Sequence, residues 1–83
     1  EKIMPIYQIS NLKPEVHQAC FIAPGAQLIG NVILKEGASC WFNTVLRAEQ
    51  EKILVGHNSN IQDGAVCHVD PGLSTLKAIL ANT

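Results

Sequence analysis

The chain is short of aromatic side chains, short of charge and lacks any long apolar run. Two Phe, one Trp and one Tyr are spread over 83 residues, which excludes a core built on large rings. The 47% hydrophobic content therefore comes mainly from Ile, Leu, Val and Ala, side chains that suit narrow, interdigitated packing. Six Lys and Arg stand against seven Asp and Glu, for a net charge of -1, and none form a basic run. That argues against nucleic acid as a partner, because phosphate binding needs clustered cations. No apolar stretch approaches the roughly 20 residues of a membrane span, and no secretory leader is read. Cysteine is scarce and odd in number: Cys20, Cys40 and Cys67 show no metal-type spacing. They read as reduced, buried thiols of a cytoplasmic protein. Chains of this length form one domain, bury only about 60% of their unfolded surface, and often need a metal, disulfide or partner.

What the sequence does have is a period of six across residues 22–70. Ile22, Leu28, Leu34, Cys40 and Leu46 follow one another at that spacing, all apolar. Ala26, Val32, Ala38 and Thr44 form a second series, small or β-branched, which ends at Gln50. Residues 50–54 shift the frame by three, read as a small bulging loop, and the phase resumes at Val55, Ile61 and Cys67 with Ser59 and Ala65 in the small series. Neither a helix nor an ordinary strand repeats in this way. A hexapeptide period is the mark of a parallel β-helix, with one short strand and one corner per six residues. Gly25, Gly30, Gly37, Gly56 and Gly64, with Asn31, Asn43, Asn58 and Asn60, are expected at corners. Coils stack by parallel pairing at about 4.8 Å each. The repeat region holds a little under three coils, near the minimum of about three that such a stack needs.

The whole chain, 1–83, reads as a single all-β domain in three parts. Residues 1–21 give an N-terminal strand and lead-in, with Pro5 confining the strand to an edge and Phe21 placed to cover the open end of the prism. Residues 22–70 are the β-helix. Residues 71–83 lose the repeat: Leu73, Leu76 and Leu80 fit a helical stripe with Ser74 as cap, so a short C-terminal helix is expected, with a frayed tail as the alternative. Trp41 and Phe42 face outward or lie near a corner, as residues of a subunit contact or as covers of the prism face.

The stretches Phe21-Ile22-Ala23-Pro24-Gly25-Ala26, Leu46-Arg47 and Asn60-Ile61-Gln62-Asp63-Gly64-Ala65-Val66-Cys67-His68 resemble the gamma-class carbonic anhydrase-like proteins of the hexapeptide-repeat superfamily. The resemblance implies a left-handed coil, against the usual right-handed crossover. It also implies a homotrimer with metal sites between subunits, each built from three His. Three His and an open water position is the carbonic anhydrase layout, in which zinc acidifies its water. By resemblance, His68 matches one metal His, Gln62 the residue that orients the metal-bound hydroxide, and Asn60 its hydrogen-bond partner. Arg47 and Asp63 match an Arg and an Asp that pair across the interface.

The chain departs from that pattern twice. It reads Leu46-Arg47-Ala48-Glu49 where the family usually has Leu-Arg-Gly-Asp, so Glu49 carries the charge one methylene further and Ala48 lacks the freedom of Gly. The other two metal His belong in the family to a later coil with no counterpart here, and His17 and His57 match no ligand position. A complete metal site is therefore not expected; zinc, or iron or cobalt, would enter only if the family site were completed. Arg47, Glu49, Asp63, Trp41 and Phe42 are read as interface residues. Two function classes stay open. One is a shortened, non-catalytic module that associates with itself. The other is a metal-dependent enzyme hydrating carbon dioxide, or an acyl-transferase as elsewhere in the superfamily.

Overall fold

Strict alternation sets the longest regular rung. In Gln27–Leu34 (β4), Leu28, Gly30, Val32 and Leu34 are buried while the residues between them are only partly so, the period-two signature of a strand. The computed structural model describes residues 6–69 and the backbone of 78–80. Within them lie Ile6–Tyr7 (β1), Glu15–Val16 (β2), Phe21–Ile22 (β3), β4, Ser39–Cys40 (β5), Val45–Val55 (β6), Asn60–Ile61 (β7), Val66–Val69 (β8) and Ala78–Leu80 (β9).

All pairings between these strands are parallel, and together they wind a prism of about three coils. One face stacks β3, β5 and β7. A second stacks β1, the first half of β4, the first half of β6, and β8. The third stacks β2, the second halves of β4 and β6, and β9. The coil is a left-handed β-helix, as the resemblance implied.

Both sequence series point inward. Leu28, Leu34, Cys40, Leu46 and Val55 are buried, as are Ala26, Val32, Ala38, Thr44 and Ser59. The two hydroxyls keep hydrogen-bond partners: Thr44 Oγ1 donates to the Trp41 carbonyl at 3.0 Å and Ser59 Oγ to that of His57 at 3.4 Å. Each sits in a dry interior at little cost because it is paired.

The frame shift is a bulge inside β6 rather than a loop that ends it. Gly30 pairs with Ala48, but Val32 pairs with Ile53, so residues 49–52 of β6 stand opposite Asn31 alone. Asn31 spans the gap, donating from Nδ2 to the Gln50 carbonyl at 3.0 Å. It stands where β4 passes from the second face to the third, beside Gly30 at φ 80, so it is a corner residue as expected, whereas Asn60 lies within β7. Ile53 takes the small-series place above Val32 and is buried, so the second series is not broken at Gln50 but resumes three residues late.

The corners use left-handed backbone where stacking leaves no room for a side chain. Gly25 (φ 84) lies beneath Asn43 (φ 61), and Gly37 (φ 81) beneath Asn58 (φ 57). At both glycines a Cβ would run into the side-chain oxygen of the Asn above. Asn tolerates this conformation better than other non-glycine residues.

Two expectations at the ends are corrected. Phe21 does not cover the prism; it is about half exposed and leans outward against Trp41. At that end Ile9 and Leu12 instead close a tight turn through reciprocal backbone hydrogen bonds of 2.8 Å, with Ser10 at φ 53. The expected C-terminal helix does not extend over Ala78–Leu80, whose backbone is a strand paired with Ile53, Leu54 and Val55. The rest of that segment, 70–77 and 81–83, lies outside the described residues.

Candidate functional site

Period two puts Arg47 and Glu49 on the same outward side of β6, with buried Ala48 between them. Arg47 Nη1 lies 2.9 Å from Glu49 Oε2, an ion pair within one chain. Parallel register sets His68 of β8 directly beside Arg47, and His68 Nε2 lies 3.8 Å from Glu49 Oε1. One carboxylate thus stands between a guanidinium on its own strand and an imidazole on the next coil. Ala48 is an ordinary strand residue paired with Gly30 and Val69, so the missing Gly leaves the rung regular.

The chain then turns the corner at Asp63 and Gly64, so the Asn60–Gln62 pair occupies the neighbouring face. Gln62 Nε2 donates to Asn60 Oδ1 at 2.5 Å. Ser39 pairs with Asn60 in register, and the Trp41 N–H donates to the Ile61 carbonyl, which places the aromatic residues one coil below the two amides. Phe21 and Trp41 have ring centroids 4.9 Å apart, and Trp41 and Phe42 6.4 Å. The indole N–H donates to Ser39 Oγ at 3.0 Å. Phe42, 42% exposed, sits on the corner. Asp63 is exposed at the next corner up and makes no ion pair among the described residues, so within one chain it is not brought to Arg47.

The other two imidazoles lie elsewhere. His17 and His57 line an open groove of about 480 Å³ with Glu15, Lys35 and Glu36, along a corner flanking the third face. His17 Nδ1 accepts the Ala19 N–H at 3.0 Å. Among the described residues no three His, Cys, Asp or Glu side chains converge as a metal would require. A catalytic zinc takes about three protein ligands. The one imidazole and one carboxylate beside Arg47 do not fit that need within a single chain.

The thiols are not candidates for chemistry. Cys40 is fully buried, and burial above all, then the neighbouring Cys20 and Cys67, pushes its pKa up to about 12. Burial also raises Cys67 and Cys20. Such thiols stay protonated and unreactive at neutral pH.

Sequence reasoning missed one residue here: Ser39 pins the indole, and nothing in its sequence surroundings signals that. Glu49 was named as an interface residue, but its approach to His68 on the next coil was not foreseen.

No protein-family model matches the chain. It is 35% identical over 71 residues to the uncharacterized transferase YtoA of Bacillus subtilis, covering 86% of this chain and 42% of that one. It is 45% identical over 56 residues to the mitochondrial gamma carbonic anhydrase 3 of Arabidopsis thaliana, covering 68% of this chain and 22% of that one. Among solved structures, a Bacillus cereus protein described as an acetyltransferase superposes with a TM-score of 0.82 at 33% identity, over 92% of this chain and 42% of that one. The chain thus spans well under half the length of these relatives. Among the described residues no helix is long and apolar enough to cross a membrane. Fold, repeat and sequence agree: the chain is a hexapeptide-repeat, left-handed β-solenoid similar to the gamma carbonic anhydrase-like proteins.

Proposed function

We propose that the chain acts as a non-catalytic β-solenoid module that associates with copies of itself, as a trimer by analogy with the family it resembles. The observation that carries this reading is the separation of its imidazoles. His68 stands beside Glu49 and Arg47, whereas His17 and His57 line a groove at another corner. One copy therefore offers a metal one imidazole at the place where the family resemblance asks for several. Support for association comes from the outward aromatic cluster of Phe21, Trp41 and Phe42 and, on the neighbouring face, the outward charged pair Arg47–Glu49. Asn60, Gln62 and Asp63 lie at the border between the two faces, and in this reading they are contact residues. The reduced thiols suit a cytoplasmic setting. Sedimentation velocity at micromolar concentration tests the reading, with a trimer expected; a stable monomer there removes it.

The second reading is a metal-dependent carbonic anhydrase with zinc, iron or cobalt held between copies, and it is favoured by the similarity to gamma carbonic anhydrases. Acyl transfer is a further variant, favoured by the similarity to the transferase and acetyltransferase relatives. Metal analysis of untagged protein separates the classes. Stoichiometric metal that disappears in His68→Ala supports the enzyme; metal-free protein with intact association supports the module.

A further inference from the structure

The misfit between the donor set and a metal has a positive counterpart. We propose that Glu49 closes this place with protein charge: its carboxylate acts as a bracket between coils, holding Arg47 of β6 by one oxygen and facing His68 of β8 with the other. The two distances differ in kind: 2.9 Å to Arg47 Nη1 is a hydrogen-bonded ion pair, and 3.8 Å to His68 Nε2 is an approach longer than a hydrogen bond, by the other oxygen of the same carboxylate. The bulge begins at Glu49, directly after the last residue of the regular rung, so the side chain sits at the end of the Arg47–His68 and Ala48–Val69 pairing. The extra methylene relative to Asp gives the carboxylate more reach toward the neighbouring coil.

Electrostatics explains why this arrangement disfavours a divalent cation. Arg47 and Glu49 neutralise one another, so a metal at His68 would meet a fixed positive guanidinium whose paired carboxylate is already engaged. What the bracket supplies is attachment of β8, whose described neighbour in the sheet is β6 alone. The inference rests on reading the metal site as incomplete, and it is independent of whether copies associate.

Hydrogen exchange on the full chain tests it, with zinc titration alongside. In Glu49→Gln the amides of Val66–Val69 should exchange about two- to five-fold faster, the range for one partly exposed ion pair, while those of β3 and β5 keep their rates. Arg47→Gln should shift the same amides in the same direction, and it carries the test alone if Glu49→Gln fails to fold. Zinc chloride added to the wild type should give no saturable binding that depends on His68. Unchanged β8 exchange in the variants overturns the bracket, as does one zinc per chain that His68→Ala abolishes. A monomer in sedimentation, with β8 loosened as described, would end the association reading and leave the bracket standing.

Discussion

At the scale of single residues, three glycines with nearly the same backbone separate two physical effects. Gly25, Gly37 and Gly64 all have φ between 74 and 84, so Ala at any of them meets left-handed strain, about 1–2 kcal/mol. At Gly37 the new methyl also meets the Asn58 side chain, whereas at Gly64 it meets open space. Urea denaturation should therefore find Gly64→Ala destabilised by about 1 kcal/mol and Gly37→Ala by clearly more; equal losses would mean that the Asn stack yields freely. Cys40 gives a prediction in pH. Its pKa is raised from an ordinary 9.0 to about 12, so the folded chain holds this proton longer than the unfolded one. The corresponding stability is complete below about pH 9 and is lost as pH climbs toward about 12. Urea midpoints measured from pH 8 to 11 should fall less steeply in Cys40→Ala than in the wild type.

At the scale of elements, most of the β-helix was legible because its two inward series are separate requirements. One asks for bulk at the middle of a rung and the other for a small residue beside a corner, and both appear in the plain spacing of Leu28, Leu34 and Leu46 against Ala26, Ala38 and Thr44. The ion pair of Arg47 and Glu49 was legible in residue types but not in partner, since spacing along one strand does not say which oxygen reaches the next coil. At Ala78–Leu80 the helical reading failed for a different reason. Leu73, Leu76 and Leu80 fit a helical stripe, but Ile53, Leu54 and Val55 of β6 present an edge for pairing, and Ala78–Leu80 takes it. Tertiary pairing overrides weak helical preference in a segment too short to hold a helix alone. The bulge was placed correctly and its consequence missed: Ile53 looked like the end of an interruption and is a core residue. Deleting residues 50–52 would follow Glu49 directly with Ile53 and give β6 the uninterrupted register of β4. That variant should fold, losing the Asn31–Gln50 hydrogen bond at a cost of about 1 kcal/mol. Loss of the β-sheet circular dichroism signal would show instead that the bulge is needed for the fold.

At the scale of the whole molecule, the outward apolar side chains bear on how the protein behaves in solution. Thr44 and Leu46 are completely buried, whereas their counterparts one coil up, Ala65 and Cys67, are only partly covered. Val66, pointing outward beside them, is 70% exposed. Phe21 and Phe42 are likewise exposed, and a domain of this size has little stability to spare. If copies bury the aromatic face, folding and association become one equilibrium, and the urea midpoint must rise with protein concentration. Between about 1 and 100 µM a folding-coupled trimer gains stability per chain through mass action, whereas a monomer shows the same midpoint throughout. Trp41→Arg places a charge in the centre of the aromatic cluster without touching the buried series, because the indole is already only half-buried. It should abolish the concentration dependence and leave the low-concentration stability within about 1 kcal/mol of the wild type, the range for one surface substitution that also forfeits ring contacts. A midpoint independent of concentration in the wild type would mean that the solenoid holds alone, and that its outward rings serve some contact other than its own copies.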